Sequence, residues 1–261
     1  VFQHIKTEIS QYVGTIIIDR QEARNALNKA TIEDLQIVLN EFEAHPELRV
    51  IVITGAGERA FVAGADIKEL HDRTMLEALM PGMQGIYTRI EQSSKVTIAV
   101  MNGNALGGGC ELALACDLRI AANHAKIGLP ELNLGIIPGA GGTQRLTRMI
   151  GRGRTLEMIL TGKLVDGVEA ERIGLVTLSV DGSKLKEATD HLVNSILSKG
   201  TLAVKLAKMV VNKGQDVDLD TALLLEKLAQ TVAFASEEKQ EGTTAFLEKR
   251  KPNYYKARTG I

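Results

Sequence analysis

Short β-branched runs alternate with stretches of helical period along most of this chain. Residues 3–9 alternate weakly between apolar and polar, and Val13-Gly-Thr-Ile-Ile-Ile-Asp19 is β-branched, which predicts a hairpin turning at residues 10–12. Ile32, Leu35, Val38, Leu39 and Phe42 recur at helical spacing. Thr31, with Asp34 three residues on, reads as the cap that opens this helix, and Pro46 closes it. Val50-Ile-Val-Ile-Thr54 and Val96-Thr-Ile-Ala-Val-Met101 are almost wholly apolar, the pattern of strands covered on both faces. Between them, Phe61-Val-Ala-Gly64-Ala65-Asp66 reads as strand, glycine turn and helix start. A less regular helical region follows to about Gln92, interrupted by Met80-Pro-Gly-Met83. Asp117-Leu-Arg-Ile-Ala-Ala122 predicts another strand, and residues 125–128 a short extended piece. Past Gly153 the period is helical over 156–161, 166–173, 183–197, 202–213, 219–234 and 237–249, with one strand at 175–180. Strand-plus-helix units recur, but no sequence repeat of 20–50 residues accompanies them.

One stretch asks for more than packing: Ala105-Leu-Gly-Gly-Gly-Cys-Glu111-Leu-Ala-Leu-Ala-Cys116. A helix that opens at glycines presents bare N–H groups and the positive end of its dipole, which suits an anionic oxygen. Glu111 sits one turn in, among Leu, Ala and Cys. Taken alone, it could cap the helix start or pair with Arg119. A second acid changes the balance. Glu131 comes twenty residues later, directly after Pro130, whose ring stiffens the backbone. A helix, a strand and a return segment fit between the two acids and can bring both carboxyls to one cavity. Two close carboxyls do not both ionise cheaply, so one can serve as general acid while the other acts as base. The turn at Gly64 offers the N–H of Ala65 opposite that of Gly108, and two such donors make an oxyanion hole. Donors plus an acid pair suit chemistry through an enolate, in which a carbonyl is polarised and protons are exchanged beside it.

Other features exclude alternatives. Gly55-Ala-Gly57-Glu-Arg-Ala60 fits a dinucleotide fingerprint only formally, because an extended segment follows it instead of a helix. The glycine-rich turn of residues 136–142 lacks the lysine of a phosphate loop and reads as a close-packed turn. His4, His45, His71, His124 and His191 are scattered and lie in neither motif, which disfavours Ser-His chemistry. Lys and Arg (31) balance Asp and Glu (32), and aromatics are 3%, so neither a field for nucleic acid nor a stacking platform is present. Cys110 and Cys116 lack metal-site spacing and read as small core residues of a reducing compartment. No apolar run reaches the ~18 residues of a membrane helix. Residues 1–6 lack a signal-peptide pattern, and a start without Met allows a processed or trimmed chain. The expected location is cytoplasmic, or the mitochondrial matrix for a processed eukaryotic chain. No metal, membrane or nucleic-acid partner is expected.

Phe61-Val-Ala-Gly-Ala-Asp66-Ile, Ala105-Leu-Gly-Gly-Gly-Cys-Glu111, Pro130-Glu131, Pro138-Gly-Ala-Gly-Gly-Thr-Gln-Arg145 and Phe246-Leu-Glu-Lys-Arg-Lys251 occur in this order. Jointly they resemble the crotonase (enoyl-CoA hydratase) superfamily, from about Val13 to Lys251. The resemblance implies an α/β fold, a crotonase-like (ClpP/crotonase) spiral of ββα units with a C-terminal helical region. Residues 1–195 would form the spiral core with the acyl-CoA site. Residues 196–261 would build trimers that stack into a homohexamer, a dimer of trimers. The thioester oxygen would lie between the N–H groups of Ala65 and Gly108. Glu111 would activate a water for attack at C3 and Glu131 would supply the proton to C2. A 2-enoyl-CoA and a 3-hydroxyacyl-CoA would thereby interconvert, the reaction of a hydro-lyase. Substrate and CoA contacts are implied for Ala63, Ala65, Asp66, Ile67, Lys68, Gly108 and Pro130, with Arg24 and Lys249 on phosphates. No separate cofactor is implied, since coenzyme A is part of the substrate. Relatives that shift double bonds often keep only the acid at the Glu131 position, so Glu111 favours a hydratase. A hydratase for a branched, acidic acyl group such as methylglutaconyl-CoA would need the same acids. An RNA-binding relative is the alternative of another class. Residues 66–92 are where the resemblance places acyl specificity.

Overall fold

In the computed structural model, which describes residues 2–255, the chain divides into two compact units, one ending at Asp190 and the other starting at His191. The first unit opens with the expected hairpin, β1 (Ile5–Ser10) antiparallel to β2 (Val13–Ile18). Helix α1 (Lys29–Ala44) follows. Three strand–strand–helix steps come next. The first is β3 (Val50–Gly55), β4 (Ala60–Val62) and a run of three helices, α2 (Ile67–Asp72), α3 (Met75–Ala78) and α4 (Gly82–Glu91). The second is β5 (Val96–Met101), β6 (Asn104–Leu106) and α5 (Gly108–Ala115). The third is β7 (Leu118–Ala122), β8 (Ile127–Gly128) and α6 (Gly142–Ile150). Then come α7 (Arg152–Thr161), α8 (Gly167–Arg172), β9 (Leu178–Val180) and α9 (Leu185–Leu197), which runs into the second unit.

The long strands form one sheet in the order β1-β2-β3-β5-β7-β9, parallel from β2 onward; the short ones form another, β4-β6-β8, also parallel. Each step therefore adds one strand to each sheet, and repetition of that step is the spiral of ββα units. The apolar runs end up covered as their composition requires. Ile16, Ile53 and Ala99 sit side by side across β2, β3 and β5, all fully buried. Helix α5 is buried along its whole length, as befits a helix apolar all round.

One helix start differs from expectation. Asn28, not Thr31, caps α1: its Oδ1 accepts the N–H of Thr31 at 2.8 Å and the Thr31 hydroxyl at 2.7 Å. Thr31 is the third helical residue and fully buried, and Asp34 instead accepts the N–H groups of Gln3 and His4. A short amide side chain on extended backbone reaches the third amide as well as a hydroxyl does, so Asn28 serves where a Ser or Thr would. In the 66–92 region Asp66 caps α2, a Thr74–Glu77 capping box opens α3, and Pro81 precedes α4. Met75 and Leu79 there are each 79% exposed.

The second unit is helical: α10 (Thr201–Gly214), α11 (Leu219–Phe234) and α12 (Glu237–Leu247), capped by Gly200, Asp218 and Ser236. The Glu238 carboxylate also accepts the first two amides of α10. Among the described residues no helix is long and apolar enough to cross a membrane.

Candidate active site

The short sheet assembles the site. Its strands are parallel neighbours, so the segments leaving their C-terminal ends emerge side by side. From β4 the chain passes through Gly64 to Ala65 and Asp66; from β6, through Gly107 into α5; from β8, through Leu129 and Pro130 to Glu131, which starts a 3-10 turn ending at Leu134. Gly107 has φ 51°, a left-handed value that side chains resist, and this sharp turn aims the start of α5. Residues 65, 108 and 131, distant in sequence, thus converge.

Several backbone amides around the turn have partners within the protein. Leu27 donates to Gly64, Asp66 to Leu27, and Gly107 to Gly128. Among the described residues, the N–H groups of Ala65 and Gly108 meet no acceptor. They are neighbours: a Cβ at Gly108 would stand 3.6 Å from Ala65 N, and one at Gly64 would stand 3.7 Å from Gly108 N. Gly108 N also lies at the positive end of α5. The Gly108 carbonyl accepts from the Tyr87 hydroxyl at 2.7 Å. Tyr87 is fully buried on α4, and burial, followed by the nearby Glu111 charge, raises its pKa well above the ordinary value, so it stays a neutral donor.

Glu111 is 3% exposed. Its Oε1 accepts the N–H of Ala140 at 2.7 Å and that of Gly142 at 2.8 Å. The glycine-rich turn expected only to pack closely therefore binds the carboxylate. Burial raises the Glu111 pKa; the two amides and the Arg145 charge offset part of that rise. Arg119, the partner weighed from sequence, bonds instead to the carbonyls of Leu175 (2.8 Å) and Cys116 (2.6 Å), at the negative end of α5. Nor does Glu111 cap the helix; Gly107 holds that position.

Glu131 shares the site. Its Oε1 lies 3.1 Å from where a Cβ on Gly107 would stand, and its Oε2 is buried with no hydrogen-bond partner among the described residues. Burial pushes its pKa up to about 7, and the Glu111 charge adds to the rise. A buried carboxyl oxygen without a partner is costly as an anion and suits a group that holds a proton or meets a guest.

The remaining candidates divide. The N–H of Ala63 donates to the Arg24 carbonyl at 3.2 Å, so the backbone of Arg24 is tied to the 63–66 segment, while Arg24 itself is exposed with φ 54°. Asp66 pairs with Arg20 at 2.7 Å, which holds its carboxyl below the usual range, and accepts the Lys68 N–H at 3.0 Å. Ile67 and Lys68 are exposed on the first turn of α2, and Pro130 is half-buried with φ −87°. Lys249 belongs to the second unit, exposed and with φ 55°. Tyr87, Glu91 and the Ala140–Gly142 amides were not candidates in the sequence. Arg145 stood within a motif of the resemblance without a role, though that motif was the signal to pursue. Among the described residues no group of three His, Cys, Asp or Glu could hold a metal ion.

This geometry has relatives. A family model described as enoyl-CoA hydratase/isomerase matches residues 8–257. The short-chain-enoyl-CoA hydratase of Clostridium acetobutylicum is 43% identical over 94% of this chain and 95% of its own length. The crotonyl-CoA hydratase of Syntrophomonas wolfei is 42% identical over 97% of this chain and 98% of its own. The crystal structure of enoyl-CoA hydratase from Bacillus anthracis superposes with a TM-score of 0.92 at 42% identity, covering 97% of this chain and 99% of that one. By a family match along nearly its whole length, by these identities and by its fold, the chain belongs to the enoyl-CoA hydratase/isomerase family.

Proposed function

We propose that the paired amides and paired carboxyls of this site add water reversibly across the 2,3 double bond of a 2-enoyl-CoA to give a 3-hydroxyacyl-CoA. The enoyl-CoA hydratase activity follows from the family and from the near full-length identity to short-chain-enoyl-CoA and crotonyl-CoA hydratases. The division of labour is our reading. The single observation that carries it is the placing of two acids with raised pKa beside two adjacent, unused amides.

In that reading the thioester oxygen sits between the N–H groups of Ala65 and Gly108, with the α5 dipole behind the second. Negative charge that develops on this oxygen is met by donors already in place, and one such donor is typically worth about 3–4 kcal/mol of barrier. Glu111, ionised and held by Ala140 and Gly142, takes a proton from the water that attacks C3. Glu131 gives its proton to C2 as the enolate collapses. In the reverse direction the roles exchange. No cofactor takes part; the acyl-CoA brings its own activation. Ala63, Asp66, Ile67, Lys68 and Pro130 would border the CoA moiety, and Arg24 would meet its phosphates.

Conversion of crotonyl-CoA to 3-hydroxybutyryl-CoA, followed with a panel of long, branched and carboxylated enoyl-CoA thioesters, tests the reading and sets its acyl range. No turnover on any member would overturn it. The pH profile checks the mechanism. Either direction needs one proton on the pair, so kcat/KM for the free enzyme is bell-shaped. In hydration it falls as pH rises through about 7, where Glu131 loses its proton, and on the acid side as Glu111 gains one. A flat profile between pH 5 and 9 would remove the acid pair from the mechanism.

The spiral core and the helical region, which we divide at residues 195 and 196, would have separate tasks, the second being trimerisation toward a homohexamer. Leu219, Leu223, Leu224, Leu228, Phe246 and Leu247 are all exposed on α11 and α12, with Phe246 at 82%, more apolar surface than a lone helical unit leaves wet. Light scattering should give six times the chain mass; a monomer at micromolar concentration contradicts this. A cytoplasmic or matrix location is part of the same proposal, supported by two buried cysteines, Cys110 and Cys116, that remain thiols.

A further inference from the structure

Glu111 is held by a turn that has little of its own to hold it. Residues 138–142 are Pro-Gly-Ala-Gly-Gly, and Gly141 has φ 105°. A side-chain anchor comes from Arg145, one turn into α6. Its Nη1 donates to the Ala140 carbonyl at 2.9 Å, and its Nε and Nη2 donate to the two carboxylate oxygens of Glu91 at 3.1 and 2.8 Å. Glu91 is the last residue of α4, and α4 packs on α5. The ring then closes, because Tyr87, four residues earlier on α4, donates to Gly108 at the start of α5. Ala140 is held on both sides of its Cα: its carbonyl accepts from Arg145, and its N–H donates to Glu111. The guanidinium occupies the space a side chain at position 141 would need, with Nη1 2.1 Å from such a Cβ. The Arg145 side chain is 11% exposed and that of Glu91 42%.

We propose that Arg145, braced by Glu91, is a positioning residue for the hydration reaction: it sets the 138–142 turn so that two amides converge on one oxygen of Glu111. The inference rests on the reading of Glu111 as the group that activates water. The planar fork matters, since three directed bonds to two partners are beyond a lysine ammonium in one geometry. The guanidinium charge also favours the ionised form of Glu111. The other groups facing Glu111 are Glu131 from the turn after β8, the Tyr87 hydroxyl from α4 and Cys110 on α5 itself.

The test is steady-state hydration of crotonyl-CoA by the full chain with Arg145→Met, Arg145→Lys, Glu91→Gln, Glu111→Gln and the Glu111→Gln/Arg145→Met pair. A base misplaced by about an ångström costs on the order of 100-fold, and that fall in kcat is expected for Arg145→Met with KM within about twofold. Its acid limb moves to higher pH, because a cation and well-aimed amides that favoured the Glu111 anion are lost. Arg145→Lys recovers little, and Glu91→Gln shifts both readouts the same way by less. The double variant is no slower than Glu111→Gln alone, since the clamp acts only through that carboxylate. A merely structural role would lower the folded fraction and leave the limb in place. Wild-type kcat and limb in Arg145→Met, or a loss that multiplies on top of Glu111→Gln, overturns the proposal while leaving the base assignment standing. Wild-type turnover in Glu111→Gln overturns both. Should Arg145→Met fail to fold, Glu91→Gln decides. It removes only the charge of a half-exposed carboxylate, and an unmoved acid limb in it overturns the proposal equally.

Discussion

Glu111→Gln should fold as the parent does and hydrate crotonyl-CoA on the order of 10²- to 10⁴-fold more slowly, the usual worth of a positioned proton carrier. The amide oxygen of Gln can still accept the N–H groups of Ala140 and Gly142, so the turn keeps its anchor. What is lost is the ability to take a proton from water. Glu131→Gln should lose a similar factor, because its amide has no acidic proton for C2. Turnover at the parent rate in both variants would reject the acid pair outright.

The same variants carry a control that a misfolded protein cannot imitate. Folding raises the pKa of Glu131 from its ordinary value of 4.5 to about 7, because burial penalises the anion. Between these values the folded chain binds a proton that the unfolded chain lacks. The resulting stability is complete below about 4.5 and is lost as pH rises through about 7. Gln carries no such penalty. Thermal melts should therefore show Glu131→Gln gaining on the parent at pH 8 and little or nothing at pH 4. A lower Tm than the parent at pH 8 would mean that the carboxyl is better accommodated than its burial implies.

Gly109→Ala should damage both stability and catalysis, although alanine is the better helix former. A Cβ at position 109 would lie 2.0 Å from the Val62 carbonyl oxygen and 2.7 Å from both the carbonyl carbon and Cβ of Val62. These are mostly backbone atoms of β4 and cannot swing aside. Helix α5 would have to withdraw from β4, at an overpacking cost of about 1–3 kcal/mol or more. Val62 leads directly to Gly64 and Ala65, and Gly109 follows Gly108, so the same withdrawal parts the two amides. A loss of about 100-fold in kcat for crotonyl-CoA is expected from such a displacement. Urea titration and turnover together check it. A variant with parental midpoint and parental kcat would show that α5 does not lie flush on β4.

Much of the element order was legible because burial leaves a mark on composition. Val50–Gly55 and Val96–Met101 lie in mid-sheet, covered on both faces, and their apolar runs said so. Helix α5 is surrounded on every side, and its lack of any polar stripe said that too. The start of α1 was less legible, since Asn28 and Thr31 are both good caps and only the path of the backbone chooses between them. The glycine-rich turn of 136–142 is legible in the sequence as a turn, but its chemistry is not. Backbone amides carry no side-chain signature, so nothing local announced that Ala140 and Gly142 would donate to an acid near residue 111.

By itself the sequence determined the inventory: a carboxylate in an apolar helix behind glycines, a second one stiffened by a proline, and a glycine turn before Ala65. Covalent chemistry and burial preference act residue by residue, and both can be read along a line. Only the tertiary structure decided which groups meet. Strands β4, β6 and β8 are parallel neighbours, so three exits far apart in the chain share one end of a small sheet. That convergence leaves the amides of 65 and 108 side by side, passes Arg119 to the far end of α5, and hands the turn beside Glu111 to Arg145 and Glu91. Such pairings are set by sheet order and helix packing, properties of the assembled backbone that no single segment encodes.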